Sequence, residues 1–220
     1  MCAYLGGVVS GATGWRVHPS HFAERHGLVV IIALGEAFIA IGIGATGIGI
    51  GPGEVVAAIL GILVATSFWL AYFDFFSIRG EQFLRDREGP ERVALARDLY
   101  AYGHFPMIVG IVLFAFAMKN IVGHVGDELD SVTAFALCGG SALYLLTYSA
   151  IRMRVERRLR VSRGRFVAAL GFLLLLPLAT MIPALAALAL VTAVWLALHA
   201  YELVWWREAR AESRSVLASS

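Results

Sequence analysis

The sequence is poor in charge and has almost no lysine. Only 15% of its 220 residues are charged, against 59% that are hydrophobic, and mean hydropathy is +0.76. A soluble domain carries about 25% charged and 45–50% apolar residues, so the shortfall excludes most soluble folds. Disorder is excluded on the same ground, because it requires low hydrophobicity and high charge. A net charge of +2 leaves no nucleic-acid footprint of the kind a basic domain carries. Cys2 and Cys138 lie far apart and outside any C-x-x-C or Cys/His cluster, which removes a zinc or redox signature. The N-terminus lacks the basic stretch and small-residue cleavage site of a secretory signal.

What remains is a series of long apolar runs. Six stand out, at 28–48, 54–77, 101–118, 131–150, 166–182 and 184–203. Each is about long enough to cross a ~30 Å hydrocarbon core as a helix. The expected fold is therefore all-α: a polytopic transmembrane helical bundle of about six spans, forming a single domain over 1–220. The last two runs, parted by Pro183, read as a tight helical hairpin. Pro177 is expected to bend the fifth, as membrane helices tolerate. The apolar piece 1–12 is too short to cross.

Seventeen of the eighteen basic residues are Arg, and their placement orients the spans. Arg16 and Arg25 precede the first run, five Arg lie in 78–98, seven in 151–165, and Arg207, Arg210 and Arg214 follow the last. With six alternating spans all of them fall on one side. The other side receives Lys119 and the acidic Asp127, Glu128 and Asp130. The positive-inside rule then places both termini and the two Arg-rich loops on the cytoplasmic side of the membrane. Residues 81–98, broken by Gly89-Pro90, read as an interfacial cytoplasmic segment, and 204–220 as a cytoplasmic tail. Anionic lipid headgroups are the expected partner of Arg152–Arg165, and no nucleic acid is expected.

Ionisable side chains inside a span cost roughly 2.5–3.5 kcal/mol at the bilayer centre and mark function by default. Glu36 lies nine residues past Gly27, about 13 Å in at 1.5 Å per residue. Arg25, eleven residues earlier, shares its helix face to within about 20° and marks the cytoplasmic mouth. Ser20 reads as a helix N-cap with Glu24 in the first turn. Nearer the cytoplasmic ends come Asp74, His104, and the pair His199 and Glu202 at i, i+3. With His21 and Glu24 at the head of the first helix, these residues form a candidate polar pathway. Gly35, Gly42 and Gly49 repeat every seven residues, and Gly47-x-x-x-Gly51 follows the small-residue pattern of close helix contacts.

Several stretches carry a family resemblance. His21-Phe22-Ala23-Glu24-Arg25-His26-Gly27-Leu28-Val29-Val30-Ile31-Ile32-Ala33-Leu34-Gly35-Glu36 resembles the H-x-x-E-R-x-G-L-x-x-I-I-x-L-G-E segment of the bacterial low temperature requirement A family. Phe68–Asp74, His104–Ile111 and Cys138–Tyr144 agree with it more loosely. Family members are typically longer, so the chain resembles their C-terminal portion. A homo-oligomer or a missing N-terminal half is the corresponding expectation. The resemblance implies an integral membrane protein and a role in growth at low temperature. It implies no reaction, substrate or catalytic residue.

The functional expectation is transport or ion/proton permeation through a cytoplasm-facing polar site. The alternatives are a structural or sensory membrane protein and a membrane-embedded enzyme. The enzyme is disfavoured, since the H-E-x-x-H and G-x-S-x-G motifs are absent. No metal or cofactor is expected. A retinal Schiff base is excluded because no run contains a buried Lys, and a His104/His199 haem pair would need the two rings to face each other.

Overall fold

The computed structural model describes residues 19–46, 49–75, 85, 88–156 and 162–218. The expectations for 1–12, Arg16, Gly47 and the middle of the 151–165 loop lie outside the described residues. The elements are α1 (Pro19–Gly44), α2 (Pro52–Phe75), α3 (Gly89–Ala96), a π-helical turn (Arg97–Tyr102), α4 (His104–Gly123), α5 (Ser131–Glu156), α6 (Arg163–Ala179) and α7 (Ala184–Ala218). Among the described residues there is no β-strand, only an isolated bridge between Glu128 and Pro183.

Among the described residues, five helical stretches are long and apolar enough to cross a membrane: Glu24–Gly44, Pro52–Phe73, Glu91–Gly123, Ser131–Arg154 and Ala184–Val204. The expected fifth span corresponds to α6, whose 17 residues fall short of the ~20 that cross comfortably. Pro177, expected to bend this span, lies inside α6 in its last turn. The first helix also begins earlier than expected. It already includes Pro19, which puts Ser20 inside the first turn and not at the cap. At the other terminus the expected tail is a continuation of α7.

Local sequence explains the helix ends. Asp130 caps α5: its Oδ1 accepts from Val132 N–H at 2.9 Å and Thr133 N–H at 3.1 Å, and its Oδ2 from the Thr133 hydroxyl at 2.5 Å. These bonds, led by that of the Thr133 hydroxyl, hold the Asp130 carboxyl below the usual range. Gly89 takes φ +55° and Pro90 follows in the first turn of α3, a position where its missing N–H costs nothing. At the start of α7, Ala184 N–H donates to Asp127 O at 2.8 Å and Leu185 N–H to Val125 O at 3.0 Å. Two otherwise orphaned helix donors are thereby satisfied by the loop between α4 and α5. Within the apolar helices, Ser67, Ser141 and Thr192 each donate a hydroxyl to the carbonyl four residues earlier, so these three hydroxyls are satisfied within their own helices.

In the bundle α1 packs on α4, α4 on α5, α5 on α6, α6 on α7, α7 on α2, and α2 returns to α1 and α4. Phe68 of α2 is fully buried and meets Phe114 of α4, Tyr144 of α5 and Trp195 of α7 at ring distances of 5.4, 4.7 and 5.0 Å. Between α4 and α5 the backbones touch. A Cβ on Gly110 would lie 2.7 Å from Gly140 O, and one on Gly140 would lie 2.8 Å from Gly110 O. Lipid supplies no hydrophobic drive between helices, so this close approach is how the pair gains dispersion energy.

The seven-residue glycine series behaves differently. A Cβ on Gly35, Gly42 or Gly49 would meet no heavy atom within 4 Å. The glycines of α1 that do pack are Gly44, against Lys119 O and Val122, and Gly27, against the Phe73 ring. A heptad count registers a helix face but not whether a neighbour faces it.

Candidate functional site

The starts of α1, α4 and α6 and the ends of α2, α5 and α7 share one end of the bundle. That end carries Arg25, Arg97, Arg152, Arg154, Arg163 and Arg165. Two buried polar groups lie just inside it.

The first surrounds His104, which is 1% exposed. Its Nε2 is 2.8 Å from the Tyr72 hydroxyl and its Nδ1 3.0 Å from Leu99 O. Only a donor satisfies a carbonyl, so Nδ1 carries the proton and Nε2 accepts from Tyr72. The ring stacks on Tyr100 at 5.0 Å, and His26 of α1 lies edge-on at 5.1 Å. The π-helical turn supplies both Leu99 and Tyr100, and this local departure from α geometry carries His104 to its partners.

The second group joins α5, α6 and α7. Arg165, with 1% of its side chain exposed, donates through Nε to Glu202 Oε1 at 2.5 Å and through Nη2 to Oε2 at 3.2 Å. This is the fork geometry that makes Arg–carboxylate pairs strong. The guanidinium lies over the Tyr148 ring, 3.8 Å from its centroid. Glu202 Oε2 is also 4.0 Å from His199 Nδ1, and the His199 ring stacks on Trp195 at 5.9 Å. Arg165 Nη1 and Trp195 Nε1 are buried without a hydrogen-bond partner.

The groups are linked through the aromatic centre. Tyr72 and Phe68 are one turn apart on α2, and Phe68 contacts both Trp195 and Tyr144. The Tyr144 hydroxyl donates to Phe68 O at 2.8 Å.

Of the residues expected from sequence, His199 and Glu202 come together, with Arg165 as their partner. His104 joins the other group. Arg25 and Glu36 do share a face, but that face is exposed, as is Glu24, so these three do not converge with His104, His199 and Glu202. The side of α1 that packs carries Val30, Ala33, Ala37, Ala40 and Ile41. The backbones of His21 and Asp74 lie in α1 and α2, while their side chains lie outside the described residues. Among the described residues no three His, Cys, Asp or Glu stand where they could hold one metal ion.

Sequence reading missed His26, Tyr72, Tyr100, Tyr148 and Arg165. Arg165 was legible in principle. It stands eighteen residues before Pro183 and Glu202 stands nineteen after it. In an antiparallel hairpin, residues equidistant from the turn lie at one level, which pairs these two opposite charges.

Comparison with known proteins places the chain in a family. Over 125 residues, the chain is 30% identical to an uncharacterised protein of Rhizobium meliloti (strain 1021), a match that covers 57% of this chain and 30% of that protein. The chain thus spans less than a third of this relative's length. No solved structure matches. The profile of the family described as bacterial low temperature requirement A protein (LtrA) matches residues 2–200, and the chain belongs to that family.

Proposed function

We propose that this integral membrane protein serves ion or proton permeation through the polar site at its Arg-rich end, with that end in the cytoplasm. The observation that supports the reading is the Arg165–Glu202–His199 group. Charges inside a membrane bundle are expensive and cluster on ion and proton pathways. Glu202 is 19% exposed, so its carboxylate is not wholly enclosed by protein, and His199 lies beside it. Chains of histidine and carboxylate side chains are the groups that build proton relays in membrane proteins. The arginines at this end face anionic headgroups, at about 1 kcal/mol per basic residue near the surface.

The test is flux in proteoliposomes holding a trapped pH-sensitive dye, driven by a potassium diffusion potential. Wild type is expected to acidify or alkalinise the lumen with the sign of the potential, and Glu202→Gln and His199→Ala to slow it at equal protein content. Wild-type vesicles indistinguishable from empty ones, or variants with unchanged flux, overturn the reading. Cysteine labelling checks the orientation: a cysteine at Asp127 is expected to react only from the outside of intact cells.

A structural or sensory role is the second reading. It is favoured by the His104 ring, whose two nitrogens both have partners, and by Glu36, which stands apart from the buried groups. Under it, Glu36→Gln supports growth as wild type does in a complementation assay with expression matched.

A further inference from the structure

The start of α6 combines three features that no helix packing explains. Ser162 is its N-cap, yet its side chain makes no capping bond. Its hydroxyl is buried without a hydrogen-bond partner, and the residue is 0% exposed. One turn on, Arg165 uses Nε and Nη2 on Glu202 and leaves Nη1 buried and unpartnered. The first N–H groups of any helix lack intrahelical acceptors and sit at the positive end of its dipole. The set is therefore rich in donors: helix N–H groups, a hydroxyl and one guanidinium N–H pair. Desolvated donors of this kind are costly to leave unmet.

We propose that the N-terminus of α6, with Ser162 and Arg165, binds a phosphate oxyanion at the Arg-rich end of the bundle. A phosphate fits because it is acceptor-rich, and helix N-termini are ready-made sites for it. The Ser162 hydroxyl rotates to donate, and Arg165 adds a charge-assisted bond without giving up Glu202. Gly164 lets the helix start run close to α7: a Cβ there would lie 2.7 Å from the Tyr201 ring. Exposed Arg163 stands at the rim and contributes charge but no built contact. Two sources supply this chemistry, free phosphate and the phosphodiester of an anionic lipid headgroup. Only the lipid arm rests on the cytoplasmic placement proposed above; the free-phosphate arm tests the site alone.

The experiment is thermal melting of the purified full chain in neutral detergent at matched ionic strength. One arm adds inorganic phosphate against sodium chloride. The other adds phosphatidylglycerol micelles against phosphatidylcholine. Wild type is expected to gain several degrees in Tm in at least one arm. A gain with phosphate assigns free phosphate, and a gain with phosphatidylglycerol alone assigns the headgroup. Ser162→Asp places a carboxylate on the same donors; it is expected to raise the ligand-free Tm and abolish the gain. Arg163→Gln is expected to keep it. No gain in either arm, a gain undiminished in Ser162→Asp, or a gain lost equally in Arg163→Gln overturns the site. Unchanged proteoliposome flux in Ser162→Asp leaves permeation standing apart from the phosphate site, so the two proposals fail separately.

Discussion

Replacing Glu202 by Leu removes both oxygens that face Arg165 at 2.5 and 3.2 Å. The guanidinium remains in place with 1% of its side chain exposed and the Tyr148 ring 3.8 Å away. Breaking a buried pair by deleting one member costs about 3–5 kcal/mol, because the survivor is left desolvated. Two features lower the figure here. Glu202 itself is 19% exposed, so the pair is not wholly enclosed by protein. The ring face of Tyr148 also returns about 1–2 kcal/mol to a desolvated cation. A loss of about 3 kcal/mol is therefore expected for Glu202→Leu. Glu202→Gln, which keeps one acceptor oxygen, loses about half of that. In the double variant Arg165→Met/Glu202→Leu neither charge remains to be desolvated. It is expected to be at least as stable as Glu202→Leu alone, giving a coupling of about 2 kcal/mol or more. The assay is reversible unfolding in mixed micelles, followed by circular dichroism against detergent mole fraction. A Glu202→Leu loss below about 0.5 kcal/mol would place the pair among surface bridges of no consequence. Additive losses in the double variant would show that the two residues act independently, and either result refutes the reasoning.

Gly110→Val is expected to cost about 1–3 kcal/mol through overpacking, since its Cβ would lie 2.7 Å from Gly140 O, whereas Gly35→Val, with no atom within 4 Å, is expected to melt as wild type does. Tyr72→Phe leaves His104 Nε2 buried without its 2.8 Å partner and is expected to lose about 1–3 kcal/mol in the same unfolding assay. Asp130 has its carboxyl held low by Thr133, so its contribution is present above the unfolded-state value and is lost as pH falls through the folded one. Melting temperatures of wild type and Asp130→Asn are accordingly expected to differ at pH 6 and to converge below about pH 4; a gap independent of pH contradicts the cap.

The helices were legible because apolar runs of membrane length have few other uses, and the hairpin because Pro183 interrupts one. Position along a helix was legible too, which is how Glu36 and the ends near His104 and Glu202 could be singled out. Direction was not. Arg25 and Glu36 share a face by arithmetic alone, but only the packing of α1 on α4 decides that this face points outward. Arg165 was hidden for a different reason. Charge counting treats every arginine of a loop as equivalent, whereas Arg165 already belongs to α6 and is 1% exposed. Tyr72 and Tyr148 gave no signal, since an aromatic residue in an apolar run looks like core until its hydroxyl or ring face finds a charged neighbour.

The order of helices around the bundle sets a timetable for assembly. The principal neighbour of α2 is α7, which is made after α3 to α6. From Phe75 to Ala184 the ribosome adds 109 residues, roughly 5 to 20 s of synthesis. For that interval the side of α2 that bears Phe68 has no Trp195 to close against. Bundle closure is therefore a late event, completed from the C-terminal side. A chain stopped after α6 retains the α4–α5 backbone contact but leaves α2 without its main partner, so it is the insertion machinery or the surrounding lipid that must hold α2 in the meantime.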